Sequence, residues 1–256
     1  MPEQRKNSYL EGKNVTKHFG GVAALSEVTF NVSKGELLCI IGPNGSGKTT
    51  LLNMITSVSA LTGGEIWFKG GKLHGLASHQ ICKLGISRTF QDLQIFNDLS
   101  VIENLMVSCW KEHYANPLEI MLRLRRARKE EREAYARGME ILSMFELDKK
   151  ASSMPLSLPF RERKFVGIAR ALATNPELLL LDEPAGGLSV EEVKELSRVI
   201  LKLHEQGITI IFIEHRMEMV NEISHRVIVL NYGRKIAEGS FDEIKRNQEV
   251  ISAYLG

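Results

Sequence analysis

The stretch GPNGSGKTT, Gly42 to Thr50, follows the unbroken apolar run ELLCII and opens the helix-like segment GKTTLLNMITSV. This arrangement constrains the fold more than any other feature of the chain. An apolar run of strand length with no polar alternation suggests a strand buried on both faces, as in a parallel sheet covered by helices. The turn fits G-x-x-x-x-G-K-[ST], with Gly42, Gly47, Lys48 and Thr49 at the fixed positions. Each residue type has a chemical reason. Glycines let backbone N–H groups turn inward around phosphate oxygens, where a side chain would collide. The positive end of the following helix favours an anion, Lys48 reaches terminal phosphates, and the Thr49 hydroxyl ligates Mg²⁺. A glycine-rich turn without chemistry is the competing reading, and the strand-before, helix-after context argues against it.

Two further runs, ELLLLDEP and ITIIFIEH, repeat the buried-strand pattern, and their alternation with helical stretches implies an α/β fold. Short alternating segments near the N-terminus, KNVTKHFGG, VTFNVSKGE and GGEIWFKGG, read as mainly antiparallel strands. Between Gln91 and Pro155 long helical patterns take over. The expected organisation is one domain over 1–256, with residues 1–90 and 156–256 forming the core and its antiparallel β subdomain, and 91–155 a helical subdomain. In RLRRARKEEREAYARGMEILSMF the apolar positions are Ala134, Met139, Leu142, Met144 and Phe145. Its arginines are balanced by Glu130, Glu131 and Glu133, which favours a solvated face over a membrane or partner patch.

Composition excludes several function classes. A net charge of +2 over 256 residues gives no footprint for nucleic acid. Runs such as ITIIFI are too short to span a bilayer, and the N-terminal segment lacks the apolar core of a secretory signal. Cys39, Cys82 and Cys109 are isolated and odd in number, so neither a disulfide framework nor a metal knuckle is expected, and a reducing cytoplasm is the natural compartment.

LLLLDEP supplies a second group of polar residues. Asp182 at the tip of a buried strand is placed to hold Mg²⁺, and Glu183 is placed to polarise an attacking water. Two solvated turn carboxylates are the bland alternative, weakened by the phosphate loop. GPNGSGKTT, the glutamine of SRTFQDLQIF, LDEPAGGLS and IEHRMEMV together occur in the order of an ABC-type ATPase. Nearly the whole chain resembles the ATP-binding subunits of bacterial and archaeal ABC importers. GISRTFQ, VIENLMV, EPAGGLS and the terminal VISAYLG resemble the branched-chain (hydrophobic) amino-acid uptake branch, and the long segment after VIENL its larger ATPase subunit.

The resemblance implies a P-loop NTPase of ABC type, with ATP and Mg²⁺ as cofactors. Gly42, Pro43, Asn44, Gly45, Ser46, Gly47, Lys48, Thr49 and Thr50 would contact the nucleotide, and Phe19 would stack on adenine, with an ordinary core Phe as the rival reading. Thr49, Gln91 and Asp182 would serve the metal. Glu183, His215 and Gln91 would serve catalysis, His215 at the γ-phosphate. Gly186 to Ser189 would meet a second ATPase subunit, identical or different. Integral-membrane permease subunits, and indirectly a solute-binding protein, complete the expected partners, at the cytoplasmic face of the membrane. Two alternatives stand beside this: a nucleotide-binding regulatory subunit with little hydrolysis, and a soluble ABC protein of DNA repair or translation. The latter is disfavoured by the single ATPase unit and the lack of a long coiled coil or basic excess.

One stretch departs from the family. Its signature, LSGGQ or a variant, leads into a helix that ends in IARAL. Counting back from Ile168 aligns it with Leu158, Pro159, Phe160, Arg161 and Glu162. Matching Leu156-Ser157 instead would insert two residues and turn the helix face by about 200°. LPYG-like variants accommodate Pro159 and Phe160. Arg161 replaces a glycine that would let the loop approach the partner's γ-phosphate, so it acts either as an obstacle or as a substitute clamp. The helix is expected to begin at about Arg163.

Overall fold

The computed structural model describes residues 8–90, 94–109 and 125–255. These form two compact units, Met1–Arg88 with Glu177–Gly256, and Thr89–Pro176.

In the first unit, β1 (Leu10–Phe19), β2 (Val22–Val32), β4 (Gly63–Phe68) and β5 (Gly71–Lys72) make an antiparallel sheet in the order β2-β1-β4-β5. Alternation of buried and accessible residues along β2 and β4 gives this sheet one wet face. The second sheet has the order β10-β9-β3-β8-β7-β6, built from β3 (Leu37–Ile41), β6 (Ile86–Arg88), β7 (Leu178–Asp182), β8 (Thr209–Ile213), β9 (Arg226–Asn231) and β10 (Arg234–Gly239). Every residue of β3, β7 and β8 is buried. The pairs β9/β3, β3/β8, β8/β7 and β7/β6 are all parallel, and β10 closes one edge antiparallel to β9. The unbroken apolar runs therefore became central parallel strands, and the expected α/β class with an antiparallel subdomain is what the chain forms.

Helix α1 (Lys48–Ile55) is clamped by one apolar cluster that joins both sheets, including Leu25, Phe30, Leu38, Ile40, Leu51 and Ile66. Residues of α2 (Ser78–Lys83), α6 (Val190–Glu205), α7 (Met217–Ile223), α8 (Phe241–Arg246) and α9 (Gln248–Leu255) complete this unit. Cys39 lies fully buried in β3, where burial pushes its thiol up, and all three cysteines are free.

β9 and β10 turn at Tyr232 and Gly233, both with left-handed backbone (φ 44° and 74°), the geometry of a tight hairpin. The Gly233 N–H donates to the Ser46 carbonyl at 3.0 Å, and its own carbonyl accepts from the Ser26 N–H at 2.8 Å. A Cβ at Gly233 would stand 2.8 Å from the Ala24 carbonyl oxygen.

The second unit is helical, with α3 (Val101–Ser108), α4 (Arg125–Met144) and α5 (Phe160–Ala173). Ser100 caps α3 reciprocally with Glu103. The fully buried Asn104 ties down the preceding loop: it accepts from the Phe96 N–H and donates to the carbonyls of Phe96, Leu99 and Ser100. The arginines of α4 are accessible, and Arg126 pairs with Glu130 one turn on, which is the solvated face the charge pattern predicts.

Two boundaries differ from the sequence reading. The second unit runs to Pro176 rather than 155, because α5 packs on α3 and α4, and its Phe165, Val166, Ala169 and Leu172 are buried. α5 also starts at Phe160, not Arg163, with Pro159 at the capping position. Arg161 and Glu162 thus sit in its first turn.

Candidate active site

The loop after β3 is shaped by glycine. Gly42 has φ 151°, and a Cβ there would stand 2.1 Å from the Leu230 carbonyl of β9. At Gly47 (φ 103°) a Cβ would stand 2.6 Å from the Ala24 carbonyl. The first and last fixed glycines therefore let the loop pass between two strands. Lys48, only 6% exposed, arches back so that Nζ donates to the carbonyls of Gly42 at 2.8 Å and Pro43 at 2.9 Å. Burial pulls its ammonium below the usual lysine range, while the nearby carboxylates of Glu183 and Asp182 pull the other way.

Three parallel strands deliver the remaining groups. β3, β8 and β7 are neighbours, and their C-terminal ends lead respectively into the loop, His215, and Asp182-Glu183. Thr49 Oγ1 faces Asp182 Oδ1 at 3.4 Å. His215 Nε2 lies 3.1 Å from Glu183 Oε1, so these two side chains form a pair at the mouth of the sheet. Glu183 itself holds a left-handed backbone, φ 49°, uncommon for a residue with a Cβ and frequent where a side chain is aimed for function.

The sequence reading missed two residues here. Glu214, 2% exposed, accepts from the Ala185 N–H at 2.6 Å and from the His215 N–H at 3.1 Å. It thereby ties together the two loops that carry Glu183 and His215. Arg88, at the end of β6, donates from Nη2 to Asp182 Oδ2 at 2.7 Å and from Nη1 to Asn53 Oδ1 at 2.6 Å. A buried acid beside a histidine in IEHR was a readable signal for the first; nothing in SRTF marks the second.

Phe19 is 51% exposed at the end of β1, with Lys17 Nζ over its ring at 4.8 Å from the centroid, so it is not a core residue. Gln91 lies outside the described residues. Gly186 to Ser189 lead into α6, whose Ser189 cap pairs with Glu192, and the Leu188 carbonyl accepts from Arg216. Among the described residues no group of three or more His, Cys, Asp or Glu is arranged to hold a metal. A hydroxyl and one buried carboxylate fit Mg²⁺ all the same, since that ion keeps waters and borrows phosphate oxygens rather than filling a protein cage.

In the helical unit, Arg161 lies along its own helix, with its guanidinium 5.4 Å from the Phe165 ring centroid and 3.9 Å from the Glu162 carboxylate. Glu162 is buried and receives two bonds from Lys150 Nζ, at 2.6 and 2.7 Å.

A glycine cradle closed by a lysine, a Thr–Asp pair and a Glu–His pair at one sheet end define a P-loop NTP hydrolase. Residues 25–186 match the ABC transporter family, and residues 234–256 match the branched-chain amino acid ATP-binding cassette transporter family. The chain belongs to the ABC transporter family as an ATP-binding, ATP-hydrolysing subunit. It is 36% identical over 248 residues to the high-affinity branched-chain amino acid transport ATP-binding protein BraF of Pseudomonas aeruginosa, covering 96% of this chain and 97% of that one. The ADP conformation of an ABC transporter cassette superposes with TM-score 0.84 at 32% identity, over 97% of this chain and 99% of the other. A dimeric post-hydrolysis cassette bound to ADP and Pi superposes with TM-score 0.77 at 28% identity, over 91% and 98%.

Proposed function

We propose that this chain is one of two ATPase subunits driving an importer of branched-chain amino acids, docked on permease subunits at the cytoplasmic face of the membrane. The observation that carries the ATPase half is the convergence of Thr49, Asp182, Glu183 and His215 at the ends of three adjacent parallel strands. The substrate half rests on the similarity to BraF and on the match of residues 234–256.

In this reading the loop amides, Lys48 and Thr50 hold the phosphates, and Phe19 stacks on adenine. Thr49 and Asp182, with Gln91 by resemblance, ligate Mg²⁺, which neutralises charge on the phosphates. Glu183 orients and deprotonates water, and His215 steadies both Glu183 and the γ-phosphate. Gly186 to Ser189 face the partner ATPase. Among the described residues no helix is long and apolar enough to cross a membrane. The test is ATP-driven uptake of radiolabelled leucine into vesicles that hold this chain with its permeases. Uptake of another solute in place of leucine, isoleucine and valine would overturn the substrate assignment.

A low-turnover reading is favoured by one observation. The turn that would meet the partner's γ-phosphate carries Arg161 where the family pattern has glycine. An arginine must be ordered for each bond it makes and holds backbone away from the phosphate. The chain alone should therefore hydrolyse little ATP. Arg161→Gly with Glu162→Gln should raise turnover several-fold at the site built on the partner's P-loop and leave this chain's own site unchanged. Arg161→Gly alone should give most of the gain, because Glu162 is already engaged by Lys150. Complexes with one P-loop lysine disabled at a time read the two sites separately. A fall in turnover would make Arg161 a working clamp.

A further inference from the structure

We propose that Arg88 is a placeholder for the metal, a positioning residue that occupies Asp182 until Mg²⁺ displaces it. This rests on the reading of Asp182 as the magnesium carboxylate.

The geometry begins in the strands. β6 runs parallel to β7 with Arg88 opposite Leu180, and Asp182 lies two residues further along the same face. An arginine side chain spans that offset. Its Nη2 reaches Asp182 Oδ2 at 2.7 Å, while Thr49 Oγ1 faces Oδ1 at 3.4 Å. Both side chains of the ion pair are almost wholly enclosed, at 4% and 1% exposure. The second arm of the guanidinium is held by Asn53, which lies four residues after Thr49 and so on the same face of α1. One helix thus carries both the hydroxyl that serves the metal and the amide that anchors its stand-in.

A carboxylate this buried needs a cation beside it. Arg88 supplies one, so the site is charge-balanced without metal. A divalent ion on the same carboxylate would face a fixed positive charge at close range, and the two cannot share Asp182 at full strength. Metal binding and the Arg88–Asp182 contact are therefore antagonistic, and antagonism is reciprocal. The apparent Mg²⁺ affinity is lowered by the fraction of molecules in which Arg88 holds Asp182. Asn53 retains the released guanidinium, so displacement is a short shift of one arm.

The test uses the full chain and a fluorescent ADP analogue, with Mg²⁺ added back from EDTA. In Arg88→Gln the half-saturating Mg²⁺ concentration for nucleotide binding should fall about tenfold, while metal-free affinity for the analogue stays within about twofold. Arg88→Lys, which keeps a charge but cannot bridge Asp182 and Asn53 together, should shift the midpoint in the same direction by less. Thermal unfolding should show Arg88→Gln weakened without Mg²⁺ and recovering more than wild type when Mg²⁺ and ADP are added. A midpoint that is unchanged or raised in Arg88→Gln overturns the proposal. If that variant fails to fold, a wild-type midpoint in Arg88→Lys overturns it instead. Asp182→Asn separates the underlying reading: an unaltered Mg²⁺ dependence there removes Asp182 from the metal site, whatever Arg88 does.

Discussion

Glu183→Gln should lower ATP turnover of the assembled complex by about 10²–10⁴-fold, the range a positioned general base supplies, while Mg-ATP binding persists. Glutamine keeps the shape of the side chain and can still bond to His215 Nε2, now 3.1 Å from the carboxylate. What it loses is the capacity to take a proton from water. The backbone should not move, because Glu214 fixes the Ala185 and His215 amides independently of the Glu183 side chain. Single-turnover hydrolysis beside equilibrium binding separates the two effects. Undiminished turnover would take Glu183 out of the chemistry.

Lys48→Ala should have the largest effect on affinity. The ammonium that would meet the terminal phosphates is also the strap across the loop, bonded to the carbonyls of Gly42 and Pro43. Its removal takes away a charge-assisted phosphate contact and frees two carbonyls to face the anion. At about 1.5–3 kcal/mol for each bond to a charged group, the loss is roughly a hundredfold in Kd or more. Calorimetry with Mg-ATP on the isolated chain measures it, and unchanged affinity would contradict the role given to Lys48.

The parts of the site that were legible in the sequence are those built from neighbours in the chain. The cradle, Lys48 and Thr49 are fixed by one loop between a strand and a helix. Asp182 and Glu183 follow a run so apolar that only a central strand accommodates it. The pairing of Glu183 with His215 was less visible, since it depends on β7 and β8 lying side by side. Arg88 was opaque for the same reason: its partner is far away in sequence, and nothing about an arginine after Ile86-Ser87 announces a buried ion pair. β9 and the edge strand β10 were less marked: RVIVLN is strand-like but leads into no motif, and RKIAEG is too polar to read as a buried strand. The late helix start was a misjudgement of a readable signal, for Pro159 already marks the entry to a helix. The extent of the helical unit was harder to see. α5 has an apolar face like any other helix, and only packing decides which neighbour covers it.

The hairpin turn at Tyr232 and Gly233 bears on how this protein can be engineered. A tight, accessible turn between two strands is ordinarily where a tag, an inserted domain or a new chain terminus does least harm. Tyr232, 87% exposed, has every outward sign of such a place. Yet its neighbour bonds the Ser46 carbonyl, so cutting or lengthening the chain here would unbrace the phosphate loop almost two hundred residues upstream. Gly70, in the turn between β4 and β5, has nothing within 4 Å of an added Cβ, and the neighbouring Lys69 amide bonds the Tyr9 carbonyl rather than the phosphate loop, so a graft there leaves that loop braced. Two turns that look alike from outside thus differ in what they hold up.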